Sequence, residues 1–387
     1  MVKRINLMED SFTEDEFNAV NACLKSGFYT QGELVDKFED KFAEWNGSRY
    51  AVMVNSGSSA NLLIAYMLKL KCGLTEGDQV LVPAVTWPTT IFPLIQTGLV
   101  PVFCDVDKGF NIDIESMKRM VTEKTKAVFL VHLLGQPANV AEIKKFCENK
   151  GLVLVEDCCE STGAAVGGIK VGNFGVMGSF SFYFAHHMTT IEGGMIVTDD
   201  AETCDLLKSA RSHGWVRNSE RCEKYREEFK NTEFLFDMLG YNLRSTNINA
   251  SIGLVQLERL DGFIRTRIEN HEYFLEKMKS LDVEVQNVRI DETSSFCFAV
   301  LCPNEDVKER MIGELTKKGV EVRPIVAGNL LKQPVFREQK MISDDTPMAD
   351  RINCCGFYFA NNPSIGREEI DYVVDAIKGC LESFKQG

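Results

Sequence analysis

The side chains in this sequence best suited to chemistry fall where an apolar run gives way to a turn. Val54-Asn55-Ser56-Gly57-Ser58-Ser59-Ala60-Asn61 reads as a strand running into a turn that opens a helix. Unpaired N–H groups, the positive end of the helix dipole, hydroxyls and a close-approach glycine suit Gly57 and Ser58 to a phosphate. A plain N-cap accounts for Ser56 or Ser58 equally well at this point. Trp87, in Pro83-Ala-Val-Thr-Trp87-Pro88, follows another strand end. Its indole face can stack on a flat ring there, although filling core space is the commoner use of tryptophan. Asp157 follows the apolar run Leu152-Val-Leu-Val-Glu; a carboxylate there either pairs with a protonated ring nitrogen or caps a helix. His186 lies in Ser179-Phe-Ser-Phe-Tyr-Phe-Ala-His186-His187-Met-Thr-Thr-Ile-Glu192-Gly193-Gly194-Met. An imidazole of ordinary pKa, about 6.5, takes and returns a proton near neutral pH. The adjacent His187 points elsewhere if the segment is extended, and it is given no catalytic role.

The elements that must position these groups follow from apolar spacing. Strands are expected at Tyr50–Val54, Gln79–Val82, Val100–Cys104, Ala127–His132, Leu152–Glu156, Gly178–Phe184 and Met195–Thr198. Helices are expected at Ser59–Lys69, Ile91–Thr97, Ile114–Val121 and Val140–Lys150. This alternation predicts an α/β fold with a mainly parallel sheet covered on both faces. Ligands of such sheets sit at the carboxyl ends of the strands, where the candidate residues fall. A long helix over Thr246–Leu281 leads to a strand at Ser295–Cys302, a helix at Glu305–Lys318, a strand at Val320–Arg323 and a final helix at Arg367–Phe384. Those last elements suffice for a smaller α+β domain, with the division expected between 1–260 and 261–387.

Composition narrows the function classes. The 387 residues are 44% hydrophobic and 26% charged, as in ordinary globular chains. A net charge of -13 argues against non-specific nucleic-acid binding, and no apolar stretch approaches the roughly 20 residues that span a bilayer. With no signal-like apolar segment at the N-terminus, a cytoplasmic location is expected. The thirteen cysteines contain no Cys-x-x-Cys pair, so scattered reduced thiols are expected and no metal site.

Taken in order, the pieces resemble the DegT/DnrJ/EryC1/StrS family of sugar aminotransferases, which bind pyridoxal phosphate. The order is Ser-Gly-Ser turn, aromatic stacker, Glu-Asp-x-x-x, Ser-Phe, Glu-Gly-Gly, then Gly240-Tyr241-Asn242-Leu243-Arg244. The resemblance runs from Phe28-Tyr-Thr-Gln-Gly32 to Arg323-Pro-Ile-Val-Ala-Gly-Asn329. It implies an aspartate-aminotransferase-like (fold type I) large domain and a smaller C-terminal one. It also implies that Gly57, Ser58 and Ser181 hold the phosphate, Trp87 stacks, Asp157 meets the ring nitrogen and Glu160 lies near the ring or its hydroxyl. Asn242 is expected to reach the phosphate of a neighbouring subunit, so the active site of a homodimer would be shared.

The chain departs from the family at one position. Where the family carries a lysine six residues before Glu-Gly-Gly, this chain has His186. Imidazole cannot make the covalent link, so pyridoxal or pyridoxamine 5′-phosphate would be held non-covalently. Histidine here resembles the 3-dehydratase branch of the family. That branch removes the C3 hydroxyl of a nucleotide-linked 4-keto-6-deoxy sugar, here expected to be GDP-linked, with His186 as acid and base. L-glutamate restores the aminated cofactor, and a 3-deoxy-4-keto sugar and ammonia leave. A second histidine branch adds an iron–sulfur cluster on closely grouped cysteines, which this chain lacks, so no such cluster is expected. Candidates to hold the nucleotide sugar are His213, Arg217, Arg244, Arg323 and Asn329. Two other readings stay open here: an aminotransferase working without lysine, and a non-catalytic pyridoxal-phosphate-binding sensor.

Overall fold

Apolar strands alternate with helices to build an eight-stranded sheet in the computed structural model, which describes residues 4–8, 11–217, 219–229, 233–337 and 341–385. The strands are β1 (Tyr50–Val54), β2 (Gln79–Pro83), β3 (Val100–Cys104), β4 (Thr125–Val131), β5 (Val153–Asp157), β6 (Met177–Ser181) and β7 (Gly194–Thr198). Beyond them lie β8 (Glu284–Val285), β9 (Cys297–Leu301), β10 (Val322–Arg323), β11 (Ile342–Ser343) and β12 (Gly356–Ala360). The large sheet runs β1-β7-β6-β5-β4-β2-β3-β11, parallel throughout except for β7, which is antiparallel to both of its neighbours. Its central strands are buried on both faces, as the Val- and Leu-rich runs of β2 and β4 require. The small sheet, β8-β9-β12-β10, is antiparallel.

Helices α1 (Glu14–Ser26), α2 (Glu33–Asn46), α3 (Gly57–Leu70), α4 (Pro88–Gln96), α5 (Ile114–Met120), α6 (Val140–Lys150), α7 (Ala201–Ala210), α8 (Asn247–Met278), α9 (Glu305–Lys317) and α10 (Arg367–Lys385) surround the sheets. The first two were not foreseen, and α2 matters for the site. Its Phe38 and Phe42 pack on Phe180 and Phe182 at the end of β6, with ring centroids 5.1–5.5 Å apart. Burying such rings removes roughly 150–250 Å² each from water, enough to fix where β6 ends.

The long helix α8 runs unbroken through residues 260 and 261, so the expected division falls inside one element. Phe274 of α8 packs at a tilt against Phe298 of β9 with ring centroids 4.7 Å apart, and Phe298 against Phe359 of β12 at 5.2 Å, which fastens the small sheet to the helix. Two further segments cross between the sheets: β11 pairs with β3, and Ile5 bridges Val320. No described helix is long and apolar enough to cross a membrane.

Candidate active site

The carboxyl ends of β1, β2, β5 and β6 open into a cavity of about 640 Å³ closed on the far side by the small sheet. Gly57, Ser58, Trp87, Asp157, Glu160, Ser181, His186 and Arg323 all line it. At its floor, Ser56 is the N-cap of α3: its hydroxyl accepts from Ser59 N–H at 3.1 Å. The N-cap explanation thus holds for Ser56 alone. Gly57 and Ser58 begin the helix proper and face the cavity. Gly194 of the Glu-Gly-Gly motif presses on this turn, since a Cβ there would come within 2.4 Å of the Ser56 carbonyl group. Only glycine lets β7 back the phosphate-type turn so closely.

Trp87 sits just before α4 and is 55% exposed, so it fills no core and offers its indole to the cavity. Asp157 is the last residue of β5 and caps no helix. Its Oδ2 accepts from Asn61 Nδ2 at 2.7 Å and Thr90 Oγ1 at 2.8 Å, and its Oδ1 from Cys159 N–H at 3.1 Å. Ser179 Oγ in turn donates to Asn61 Oδ1 at 2.6 Å. Three donors from separate parts of the chain therefore fix the direction of this carboxylate at the cavity.

Strand β6 ends at Ser181, three residues earlier than expected, because its pairing with β7 stops at the Ser181–Gly194 pair. The chain then turns, with His186 N–H donating to the Tyr183 carbonyl at 2.9 Å, and carries His186 into the cavity wall. The imidazole Nδ1 hydrogen-bonds the Ser181 carbonyl at 3.3 Å. Phe296 and Tyr183 pack edge-on against the ring at 5.3 and 5.9 Å. Burial lowers the His186 pKa to about 4; the Ser181 carbonyl opposes that shift and the Arg267 guanidinium adds to it. The ring is thus a weaker base than its ordinary value suggested, and it is neutral at physiological pH. His187 points away from the cavity, buried, with Nε2 3.2 Å from the Ser294 carbonyl.

Glu160 accepts from Leu134 N–H at 3.1 Å, and burial raises its pKa to about 7. A carboxyl in that range either donates or accepts at neutral pH. Arg323 reaches the cavity from β10 with its guanidinium 2.7 Å from Glu321.

The remaining expected residues lie elsewhere. His213, Arg217 and Asn242 are exposed and do not line this cavity; Arg217 lies over the Trp215 ring at 5.4 Å. Arg244 Nε donates to Asn242 Oδ1 at 3.2 Å, again outside the cavity. Asn329 also lies outside the cavity. It is fully buried, donating to Thr346 Oγ1 at 3.1 Å and Asp350 Oδ1 at 2.7 Å and accepting from Leu331 N–H at 3.0 Å. Both of its amide donors are committed within the protein and its oxygen caps a turn. One buried group of potential metal ligands, His132, Glu156 and Cys158, also comes together among the described residues. Its Glu156 carboxylate already accepts from Gly172, Phe174 and Gly175 N–H and from His132, which makes it a brace for the end of β5. Cavity groups that the sequence reading missed are Arg267, Phe296, Cys297 and Tyr358. No motif marks them, and only tertiary packing brings them to the site.

The family model of the DegT/DnrJ/EryC1/StrS aminotransferase family matches residues 10–378. GDP-4-keto-6-deoxy-D-mannose 3-dehydratase of Escherichia coli O55:H7 is 39% identical, over 96% of this chain and 99% of its own. The protein of that name from Yersinia pseudotuberculosis is 37% identical, over 96% and 98%. Among solved structures, E. coli GDP-4-keto-6-deoxy-D-mannose-3-dehydratase with bound hydrated PLP superposes with a TM-score of 0.92 at 38% identity, covering 97% of this chain and 100% of that one. A structure of GDP-4-keto-6-deoxymannose-3-dehydratase with a trapped PLP-glutamate geminal diamine superposes equally well, with the same identity and coverage. By sequence and by fold, the chain belongs to the DegT/DnrJ/EryC1/StrS aminotransferase family.

Proposed function

We propose that this protein is a pyridoxamine-phosphate-dependent 3-dehydratase of a GDP-linked 4-keto-6-deoxy sugar, with L-glutamate as amino donor. The observation that carries the reading is His186: a neutral imidazole stands in the cavity wall where the family has its lysine. The whole-chain similarity to dehydratases of this type, one of them trapped with glutamate on the cofactor, supports the same substrate pair.

The residues present fit the cofactor. Gly57 leaves room that a methyl group would fill, since a Cβ there would meet Ser181 Cβ at 2.6 Å. A helix N-terminus with Ser58 beside it suits the phosphate. Asp157 would pair with the pyridinium nitrogen, Trp87 would stack on the ring, Ser181 would add a hydroxyl to the phosphate site and Glu160 would meet the ring hydroxyl. When bound, the ring supplies an electron sink that lets a bond at the neighbouring carbon break.

Around that sink, this chain's groups hold and move protons. His186 takes a proton on its free lone pair and, as imidazolium, returns it to the departing C3 hydroxyl. Lacking a primary amine, it cannot anchor the cofactor or displace an aminated product, which favours loss of water over delivery of nitrogen. Arg323 would meet an anionic part of the substrate.

One chain offers its cavity few cations for a diphosphate: Arg267 is buried and Arg323 already has a partner. This favours a homodimer in which the neighbour contributes Asn242 to the phosphate and Arg217, Arg244 or His213 to the nucleotide. Exposed apolar side chains such as Phe28, Tyr29 and Leu239 agree with a partner surface. A cytoplasmic setting belongs to the same reading.

His186→Lys tests it. The variant is expected to hold the cofactor covalently, to absorb in the visible and to lose dehydration. Unchanged dehydration by this variant would refute the reading.

A further inference from the structure

Arg267 of α8 is 3% exposed, yet it lines the cavity, and among the described residues no carboxylate pairs with it. Leaving a cation inside a protein without a counter-charge costs several kcal/mol unless other dipoles replace water. Here the dipoles are backbone carbonyls from three separate parts of the chain. Nη1 donates to the Phe296 carbonyl at 3.0 Å and to the Asn361 carbonyl, and Nη2 to the His186 carbonyl at 3.4 Å. Phe296 precedes β9, Asn361 follows β12, and His186 sits on the turn after β6. Asn361 returns the contact, its Nδ2 donating to the Arg267 carbonyl at 2.8 Å and to Ser295 Oγ at 2.8 Å. Ser295 Oγ also meets His271 Nδ1 at 2.6 Å and holds a left-handed backbone, φ 46°. That conformation is costly for a residue with a side chain, so the surrounding bonds must enforce it. Its consequence is the placement of Phe296, whose ring lies edge-on to His186 at 5.3 Å.

We propose that Arg267 is a positioning residue for His186, its guanidinium tying the main chain of the His186 turn to the small sheet through three carbonyls. A planar fork of donors can reach three acceptors at once, whereas an ammonium or a single amide cannot keep the same directions. The inference rests on the proton-transfer role of His186 given above. It adds that this role needs a residue lying behind the turn, and that the small sheet helps set the position of the imidazole.

The charge of Arg267 also acts on the imidazole, in the direction of keeping it unprotonated. Asp157 acts the other way, and His187 is the next ring along the chain. Tyr183 packs on His186, while Glu160 and Tyr358 face the same cavity.

The test uses nitrogen-15 histidine NMR, with His186 assigned through His186→Asn, beside steady-state turnover and thermal melting. Arg267→Gln, which keeps a donor but removes the charge, should raise the His186 titration midpoint by roughly one unit. Arg267→Lys keeps the charge but not the fork: the midpoint should stay low, while kcat falls roughly a hundredfold with KM little changed, the penalty for a misplacement of about 1 Å. A midpoint unmoved in Arg267→Gln, or full turnover by folded Arg267→Lys, overturns the proposal. Should Arg267→Gln not fold, Arg267→Lys alone decides. The NMR result does not depend on the reaction: a wild-type protein that fails to dehydrate sinks the functional reading, whereas an unmoved midpoint in Arg267→Gln sinks this inference alone.

Discussion

Replacing Gly57 with alanine puts a methyl group where the cavity floor has no space. The added Cβ would lie 2.6 Å from Ser181 Cβ, 2.9 Å from Cys159 Sγ and 3.1 Å from Ser181 Oγ. Carbon atoms prefer roughly 3.5–4.0 Å, so the overlap with Ser181 is about 1 Å. Ser181 cannot retreat easily, because β6 is buried and the Phe182 ring behind it is packed on Phe38 and Phe42. Overpacking of this kind costs about 1–3 kcal/mol. If the strain is relieved by moving Ser181 and the start of α3 out of the phosphate position, cofactor affinity should weaken by roughly 5- to 150-fold. Gly262, also helical but with open space around its Cβ position, provides the control, and Gly262→Ala should leave affinity unchanged. The assay is equilibrium titration of cofactor-free protein with pyridoxal phosphate, followed by fluorescence. Binding by Gly57→Ala within about twofold of the wild type would refute the assignment of this turn to the phosphate.

Two further outcomes are expected. Burial lowers the pKa of His186 and His271 to about 4 and that of His187 further, while it raises that of Glu160 to about 7. Midway between pH 6.5 and 4.5 the unfolded chain holds close to three protons that the native histidines refuse, while native Glu160 holds one that its unfolded form has lost. The net two protons make the cofactor-free protein lose stability by about 3 kcal/mol per pH unit at most, read from denaturant midpoints, with the loss absent above pH 7. A flat profile between pH 6.5 and 4.5 would show that these rings are not held neutral. If the site is shared between subunits as proposed, His186→Asn mixed with Asn242→Ala should recover about a quarter of wild-type activity, because half of randomly paired dimers carry one intact site. No recovery after subunit exchange has been demonstrated would rule Asn242 out as the partner's contribution.

Much of this arrangement was legible in the residue pattern. Strands such as β1 and β3 are unbroken apolar runs between turn residues, and they form where that pattern places them. The cavity lining was legible where its residues come from short contiguous motifs at strand ends. Strand β6 was read too long because Phe182, Tyr183 and Phe184 favour a strand as single residues; what stops it is the end of its pairing with β7, a tertiary fact. The residues that aim Asp157, namely Asn61, Thr90 and Ser179, are ordinary types on three elements, and nothing in their own neighbourhoods marks them. Asn329 lies outside the cavity for the opposite reason. Its motif pointed to the site, but a nearby turn needed its side chain as a cap. Arg267 could be found only in three dimensions, since its acceptors lie 29, 81 and 94 residues away.

A histidine in place of the family lysine is proposed to turn amine delivery into removal of a hydroxyl. The direct measurement is product analysis by mass spectrometry after incubation with pyridoxal phosphate, nitrogen-15 L-glutamate and GDP-4-keto-6-deoxy-D-mannose. The account predicts 2-oxoglutarate, free labelled ammonia and a GDP-linked 3-deoxy-4-keto sugar free of label. A GDP-linked amino sugar that retains the nitrogen-15 would contradict it.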